Sequence, residues 1–431
     1  MSFTKCFTLL LLCFALHVLF ILPLTNCIFP EFKKDEYIKI NFTKNLSIRS
    51  TSLTLTELEY RQETLRNMTK EAWNAYRKNA WGGEALDPID NITCSDSFGD
   101  DSGRTIIASL STLKVMGLEE EFNEAKKWVH EQMSFTNLEK DVSVKLTITD
   151  YIGGLLSAFA LTADETFHQK ANEIGEVVKI AFDPKSGLLH NTLNPKRKLS
   201  HYNFDFRRWY LNSISAIGHQ QPELLYLAAL NNDKKLQVLI EKKIHKTVKS
   251  LPKPGGLYKS AVDVRDGTWI TDGVLVSFDE NSKDFYYNHL RSYLLSGGKK
   301  SKVFKNFILA MKSLIDTRMI IPLTDDGRRY VTYIDSEVLL DVGKTMTTST
   351  CYLGAMLYLA AESDKLLKKE NSSILSNYQA EVFRVLAENI TETCHILAEN
   401  TNTKLLPSTV YLRLTENYPF GDMAFGSSEY S

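Results

Sequence analysis

Two acidic residues stand at helix starts, where a carboxylate could take part in chemistry. Asp284 opens the run DFYYNHL, and Glu223 lies in QQPELLYLAAL with apolar residues after it. Two carboxylates placed across a glycosidic bond can hydrolyse it, one acting as acid and the other as base. An acid at a helix start is also an ordinary cap or a partner of the helix dipole. Position in the sequence leaves both interpretations open for each residue.

A third acid lies in the stretch VKLTITDYIGGLLSAF, residues 144 to 159. The first half alternates between polar and apolar residues, and the second half forms an apolar helical face. Asp150 lies at the junction, with no other acid nearby. We predict that it is the N-cap of a helix that begins at YIGGLL.

The overall charge limits the kinds of partner. Lysine and arginine number 51 against 52 acids, which leaves a formal charge of −1. No basic field for nucleic acid is present, and neutral substrates such as sugars fit this balance. No Cys-x-x-Cys motif and no His or Cys cluster with zinc spacing occurs.

The amino terminus indicates the secretory pathway. An apolar run from Phe7 to Leu24 fits either a signal peptide, with cleavage after Cys27, or an uncleaved type II anchor. Either alternative places the rest of the chain in the lumen or outside the cell, with membrane contact only through residues 1–27. Residues 28–55 are polar and are predicted to form a stem. Six Asn-x-Ser/Thr sequons agree with this, at Asn41, Asn45, Asn67, Asn91, Asn371 and Asn389.

Residues 56–431 are predicted to form one all-α domain. Thr56 and Glu59 make a capping box at its start. Amphipathic helices then follow in pairs up to residue 400. Short extended segments lie between the pairs: GLLHNTL, GLYKSAV, RRYVTYID and LLPSTVYLRL. Helix pairs in series with hairpins between them predict a closed ring of helical hairpins, an α/α toroid.

From about Met68 onward the chain resembles glycoside hydrolase family 47, the class I α-1,2-mannosidases. The segments that carry the resemblance are KEAWNAYRKNAWGGEALDP, TIIASLSTLKVMGLEEEFNEAKKWV, YIGGLLSAFALTADETFHQKA, DFYYNHLRSYLLSGG and TSTCYLGAML with ITETC. The tryptophan-glycine run at 81–83 resembles the corresponding segment of the ER and Golgi processing enzymes more than that of the degradation-enhancing branch of the family. The resemblance implies an (α/α)7 barrel, bound Ca²⁺, and inversion by two carboxyls roughly 6.5–9.5 Å apart. It also implies a disulfide between Cys351 and Cys394, which would leave Cys94 free.

The family's functional residues transfer only in part. Asp284 matches one retained catalytic acid, and Glu223 matches a retained substrate-binding glutamate. The essential glutamate that follows Val-Ser-Val-Phe in the family falls on Leu146, and the arginine four places later falls on Asp150. Further family acids are replaced at Ala108, Ser111 and Asn288.

The sequence stops at GSSEYS, before the family's Leu-Arg-Pro-Glu segment. The resemblance therefore implies an incomplete barrel without the region that holds calcium, so we expect no bound Ca²⁺. An exposed apolar seam would favour self-association. A truncated gene model would explain why the sequence lacks this segment. Restoring the segment would not restore a glutamate at position 146, where the chain has Leu146.

Two functions remain open. One is a catalytically impaired family member, a pseudoenzyme of the secretory pathway with a glycan-binding or protein-binding role, whose partners would be high-mannose N-glycans or glycoproteins. The alternative is an active, Ca²⁺-dependent, inverting α-1,2-mannosidase that trims those glycans. A leucine cannot carry a proton, and losing one member of an acid/base pair forfeits about 10² to 10⁴ in rate. Leu146 therefore favours the first function.

Overall fold

The computed structural model describes residues 37–39, 54–95, 97–99, 101–201, 203–204, 210–219, 222–244, 256–269, 278–316, 320–322, 329–331, 344–367, 373–415 and 418–426. The predicted leader, residues 1–27, lies outside these ranges. So does the predicted stem, apart from residues 37–39 and 54–55. These two boundaries stay predictions.

Helices dominate the described ranges. They are α1 Leu55–Asn79, α2 Arg104–Val115, α3 Glu119–Glu131, α4 Val144–Thr162, α5 Glu165–Val178, α6 Ile214–His219, α7 Pro222–Leu230, α8 Lys234–Val238, α9 Lys283–Leu295, α10 Ser301–Asp316, α11 Tyr352–Leu367 and α12 Asn377–Glu399. Two π-helical segments occur, one at Thr147–Ile152 within α4 and one at Leu239–Ile244 directly after α8.

The helices form two layers. In the inner layer, α2 packs on α4, α4 on α7, α6 and α7 on α9, and α9 on α11. The second helix of each pair packs outside its partner: α3 on α2, α5 on α4, α8 on α7, α10 on α9 and α12 on α11. This is the predicted α/α barrel architecture, and the fold class is confirmed.

Two glycines let inner helices approach closely. A Cβ atom added to Gly154 of α4 would lie 2.7 Å from the carbonyl oxygen of Ile107 on α2. A Cβ atom added to Gly218 of α6 would lie 2.6 Å from the Cα of Phe285 on α9. Both distances are below any normal contact, so side chains here would push the inner helices apart.

Apolar faces of the helices build one continuous core. On α10, Phe304, Phe307, Met311 and Leu314 are all buried, as the helical spacing predicts. Tyr293 of α9 stacks on Phe304, with ring centroids 4.3 Å apart. Helix α4 is long and apolar enough to span a membrane, but about half of it is buried inside the fold, as in a core helix.

Short antiparallel strands occupy the connections. Strands β2 Ala85–Asp87 and β3 Ile92–Cys94 form a hairpin, and β4 Val142–Ser143 pairs with β5 Thr192–Asn194, which pairs with β6 Leu199–His201. A second sheet contains β7 Asn203–Phe204, β8 Tyr210–Ser213, β9 Ala261–Asp263 and β10 Thr268–Trp269. Each of the four extended segments predicted from the sequence contains a strand.

The remaining strands lie in the second half of the chain and at its start. Strands β11 Ile320–Pro322 and β12 Arg329–Val331 form a hairpin. The last sheet has the order β1-β15-β14-β13, made of β1 Tyr37–Lys39, β13 Lys344–Thr347, β14 Thr409–Thr415 and β15 Tyr418–Gly426. Residues 37–39 of the predicted stem therefore belong to a sheet.

The first long helix begins two residues earlier than its predicted capping box. The N-cap is Thr54, whose hydroxyl accepts a hydrogen bond from the amide of Glu57 at 3.3 Å. Thr56 lies inside α1, so the predicted box with Glu59 is wrong. The same Thr-x-x-Glu pattern occurs at both registers, and only one of them matches the start of the helix.

The predicted disulfide between Cys351 and Cys394 is confirmed, with a Cα–Cα distance of 6.1 Å. It ties the start of α11 to α12. Cys94 is also disulfide-bonded, so the expectation that it carries a free thiol is wrong. That expectation counted one bond among three cysteines and set aside the three cysteines of the amino-terminal segment, at positions 6, 13 and 27.

Replacing both Cys351 and Cys394 with serine should lower the free energy of unfolding by about 3–4 kcal/mol. The bond closes a segment with a sequence separation of 43, and removing it frees the unfolded chain. Urea unfolding followed by far-ultraviolet circular dichroism measures the change. A loss below about 1 kcal/mol would show that the bond contributes little to the fold.

Candidate functional site

Asp284 is held by a lysine and a serine from two other inner helices. The Lys145 ammonium lies 2.9 Å from Oδ2 of Asp284, and the Ser215 hydroxyl donates to the same oxygen at 2.7 Å. The lysine and serine groups are themselves 3.5 Å apart. Ser215 is fully buried, and the side chains of Lys145 and Asp284 are partly buried. The carboxylate therefore sits in an ion pair supplied by the chain itself.

The start of α6 is fixed by main-chain hydrogen bonds. The amide of Ser215 donates to the carbonyl of Asn281, directly before α9, at 2.8 Å. The preceding amide, of Ile214, donates to the carbonyl of Ser260 beside β9 at 2.9 Å. Helix α6 therefore begins next to the start of α9, which places Ser215 beside Asp284.

The start of α4 is fixed in a similar way. The amide of Val144 donates to the carbonyl of Asn191 at 2.9 Å, and the Ser143 hydroxyl accepts from the amide of Leu146 at 3.3 Å. Three inner helices, α4, α6 and α9, therefore point their first turns at one place, where positive helix ends favour a carboxylate.

Leu146 has no polar side-chain group that could contact Asp284. Its side chain is partly buried and packs against the hydrophobic core. The neighbouring residue, Lys145, is the one that reaches Asp284. At the position where the family resemblance predicts an essential acid, this chain has a hydrocarbon, and the ammonium group of Lys145 lies beside Asp284.

A second lysine lies at the same end of α9. Lys283 is buried, and its ammonium contacts Glu280 at 2.7 Å and lies 4.3 Å from the ring centroid of Tyr352. The hydroxyl of Ser349 donates to the same Glu280 carboxylate. Burial raises the pKa of Tyr352, and the negative charges of Glu280 and Asp284 raise it further, so its hydroxyl stays protonated.

Glu223 lies in the first turn of α7 and is paired with Arg291 of α9 at 2.7 Å. The guanidinium also donates to Oδ1 of Asn288 at 2.9 Å. Burial would lower the pKa of Arg291, but Glu223, Tyr287 and Asp284 together outweigh burial, so the pKa is raised. Burial raises the pKa of the nearby Tyr287 hydroxyl. Glu223 therefore forms a buried ion pair on the inner face of the barrel.

Asp150 forms an ion pair and is not a helix cap, so the N-cap prediction is wrong. The helix begins at Val144, and Asp150 lies within its π-helical segment. Its Oδ2 accepts from Nε of Arg104 at 2.7 Å, and Nη1 of Arg104 donates to Glu84 at 3.1 Å. The other oxygen of Glu84 accepts two main-chain amides, at 2.9 and 2.7 Å. All three charged residues are buried, and each is hydrogen-bonded.

The residues of this region do not fit the calcium that the family implies. Calcium takes six to eight oxygen ligands, mostly carboxylates and carbonyls. In the described ranges no group of three or more His, Cys, Asp or Glu side chains could hold a metal ion. Cations of the chain already contact Asp284 and Glu223. Absence of bound Ca²⁺ stays a prediction.

The sequons differ in how the fold presents them. Asn67 is exposed on α1, and Asn91 is exposed with a left-handed backbone (φ 55°) at the turn between β2 and β3. Asn389 is half-buried within α12. Asn41, Asn45 and Asn371 lie outside the described residues.

The sequence analysis identified Asp284 and Glu223 as candidate site residues but did not predict their ion-pair partners. Lys145 directly precedes Leu146, so matching the family's Val-Ser-Val-Phe-Glu segment to this chain could have drawn attention to it. Arg291 lies seven residues after Asp284, two turns further along the same helix. Ser215 gave no signal, because its contact with Asp284 depends on how α6 and α9 pack.

Lys145→Met should destabilise the protein by about 1–2 kcal/mol, because it leaves the Asp284 carboxylate partly buried without its charge partner. Asp284→Asn in the same chain should recover most of this loss, since the amide needs no counter-charge. A double-mutant cycle by urea unfolding measures the coupling. Additive effects of the two substitutions would mean that the ion pair is not formed.

Comparisons with known proteins agree with this architecture. Residues 68–427 match the family model for glycosyl hydrolase family 47. The mannosyl-oligosaccharide alpha-1,2-mannosidase IA of Spodoptera frugiperda is 30% identical over 81% of this chain and 50% of that protein. The mannosyl-oligosaccharide 1,2-alpha-mannosidase IC of Homo sapiens is 31% identical over 82% of this chain and 53% of that protein.

The chain thus spans about half the length of these curated relatives. Among solved structures, the alpha-1,2-mannosidase from Trichoderma reesei superposes with a TM-score of 0.68. It is 18% identical and matches 82% of this chain and 71% of its own, which shows the shared fold. With the family model matched over most of its length, this chain belongs to glycosyl hydrolase family 47.

Proposed function

We propose that this chain recognises high-mannose N-glycans, free or on glycoproteins, without hydrolysing them. The observation that carries the proposal is the pair of residues at 145 and 146. Lys145 contacts the retained acid Asp284, and Leu146 stands where the family places a second carboxylate.

Hydrolysis with inversion needs two carboxyl groups, with a water between one of them and the anomeric carbon. One must give a proton to the leaving oxygen while the other takes a proton from the water. Leu146 can do neither. Lys145 and Ser215 both contact Oδ2 of Asp284, so this oxygen is already engaged by two groups of the chain.

Binding a neutral sugar requires fewer specific groups than hydrolysing it does. It needs fixed polar groups for the hydroxyls and an aromatic or apolar surface for the ring face. The partly exposed side chains of Lys145 and Asp284 supply the first. Tyr287 and Tyr352 are half-buried and supply aromatic surface close to them. These groups support recognition of a sugar residue by the same end of the barrel.

Sequence features and the disulfide support a proposed cellular compartment. We place the protein in the lumen of the secretory pathway, or outside the cell, because it carries six sequons and disulfide-bonded cysteines, which form in oxidising compartments. Tethering through residues 1–27 and self-association stay predictions.

The purified protein should release no mannose from a high-mannose glycan in the presence of Ca²⁺, yet be retained on an immobilised high-mannose glycoprotein. The first result follows from the missing second carboxylate, and the second from the intact polar surface around Asp284. Released sugar is measured by chromatography of the labelled glycan, and retention by elution with free mannose.

Asp284→Trp should abolish retention by filling the site, while Asp101→Asn, an exposed acid elsewhere, should leave it unchanged. Mannose release that stops with EDTA and with Asp284→Asn would replace this proposal with the active, Ca²⁺-dependent enzyme. No release together with no retention would also reject it.

Calcium should leave the stability of this protein unchanged. Lys145 is paired with Asp284, and Arg291 is paired with Glu223. An added divalent cation would therefore have to displace the lysine or arginine side chain from its carboxylate. The melting temperature is compared in millimolar Ca²⁺ and in EDTA, where a bound ion would raise it by mass action. A saturable rise with Ca²⁺ would show that the chain still holds the family's ion.

A further inference from the structure

The turn between α9 and α10, and α10 itself up to its last residue, carry positive charges only. Between Asp284 and Asp316 the sequence contains no aspartate and no glutamate. Five lysines lie in this stretch, at positions 299, 300, 302, 305 and 312. The formal charge of −1 for the whole chain therefore conceals a local excess of positive charge.

Three of these lysines share the outer face of α10. Lys302, Lys305 and Lys312 are exposed, and their separations of three and seven residues place them on one side of a helix. The opposite side packs in the core through Phe304 and Met311. Because ten residues of helix rise about 15 Å, these lysines form a stripe of about that length along the outside of the barrel. We call Lys302, Lys305 and Lys312 the lysine stripe.

Acids of the chain leave this positive charge largely uncompensated. Lys300 lies 3.3 Å from Glu241 in the π-helical segment after α8. Within the ranges that the structure describes, the other four lysines of the stretch take part in no ion pair. The one acid that contacts this region is therefore already paired, and the lysine stripe faces solvent without counter-charges from the chain.

Another outer helix shows the more usual arrangement. On α12, Arg384 pairs with Glu381, three residues earlier, at 3.1 Å. On α10 the same spacing brings Lys302 and Lys305 together, and like charges on neighbouring turns destabilise a helix. Lys302 also lies in the first turn, where the helix dipole disfavours a cation. The lysine stripe therefore destabilises the free protein, and an anionic partner would offset this cost.

The chemistry of the stripe indicates a linear polyanion. A lysine ammonium acts as a separate point charge, whereas an arginine can hold one phosphate or carboxylate by two parallel hydrogen bonds. Separate charges spaced along a line suit a chain that carries anionic groups at intervals. A folded ligand with a single anionic group would contact only one or two of these lysines.

The surroundings of the stripe favour a sulfated polysaccharide over a membrane. The apolar face of α10 is buried in the core, and Leu309 is the one exposed apolar residue on the stripe. Membrane-surface helices instead bury a whole apolar face in the bilayer. Anionic lipids are concentrated in the cytoplasmic leaflet, whereas we place this chain in the lumen or outside the cell. The choice of polyanion rests on that proposed compartment.

We infer that the outer face of α10 binds a linear sulfated polysaccharide. Its sulfate groups lie along the lysine stripe and contact Lys299 at the adjoining turn. Asp284 lies at the start of the inner helix α9, whereas the stripe lies on the outer layer. The inferred surface and the proposed glycan site therefore share no residue.

The test uses a fluorescein-labelled heparin dodecasaccharide as the probe and measures its fluorescence anisotropy with the purified protein. We expect saturable binding at physiological ionic strength. Binding should weaken steeply with added NaCl, because a polyanion releases counterions when lysines bind it. A hyaluronan oligosaccharide of equal length carries carboxylates but no sulfate, and it should bind at least tenfold more weakly.

The triple variant Lys302→Gln, Lys305→Gln and Lys312→Gln should bind heparin at least tenfold more weakly, with a shallower dependence on salt. Its melting temperature should equal or exceed that of the unmodified protein, because the substitutions remove repulsion between like charges. A loss of binding in this variant would then not come from unfolding.

A matched control removes the same amount of charge elsewhere. It replaces with glutamine three exposed lysines that form no ion pair within the described ranges: Lys78, Lys127 and Lys185. Heparin binding by this control should change less than twofold. An equal loss in the control would mean that net charge alone attracts heparin, and it would overturn the inference.

Three further outcomes would also overturn it. They are the absence of saturable heparin binding, equal affinity for hyaluronan, and tighter binding to phosphatidylserine vesicles than to heparin. Retention on the high-mannose column should be unaffected by the triple lysine variant, and heparin binding should be unaffected by Asp284→Trp. Failure of the polysaccharide surface and failure of the proposed glycan site can therefore be told apart.

Discussion

The ion pair between Lys145 and Asp284 joins the first turns of two inner helices that are 139 residues apart in the sequence. It forms because α4, α6 and α9 all begin at one end of the barrel, where their amide-rich ends favour a negative charge. The same geometry that would present an acid to a sugar here presents it to an ammonium group. We propose that Lys145, which directly precedes the predicted position of the missing acid, affects the chemistry of the site as much as that missing acid does.

Ion pairs also hold the other buried acids of the inner helices and their connections. Glu223 is paired with Arg291, and Asp150 and Glu84 share Arg104. A buried carboxylate is tolerated only when it is paired and hydrogen-bonded. Each of these acids has a cation supplied by the chain. The pairs also hold inner helices together: Arg104 on α2 reaches α4, and Arg291 on α9 reaches α7. Charge compensation and barrel packing are thus parts of one arrangement.

Much of this could be predicted from sequence, because helical periodicity and turn residues are local signals. The helix pairs, the four extended segments and the buried face of α10 are all present as expected. The disulfide between Cys351 and Cys394 came from family resemblance. Local signals failed where long-range contacts decide the structure. Asp150 looked like a cap because the residues before it alternate like a strand, yet they are helical and its partner lies 46 residues away. The bonded state of Cys94 was missed for the same reason.

The most direct test of the central claim is a crystal structure of the protein soaked with α-1,2-mannobiose and Ca²⁺. We expect the Lys145 ammonium to remain within hydrogen-bonding distance of Asp284, with an intact disaccharide bound beside it. The contrary result would be a second carboxyl group roughly 6.5–9.5 Å from Asp284, with a water between them and a metal ion bound to the sugar. That arrangement would restore an acid and a base to this site and make the chain a hydrolase.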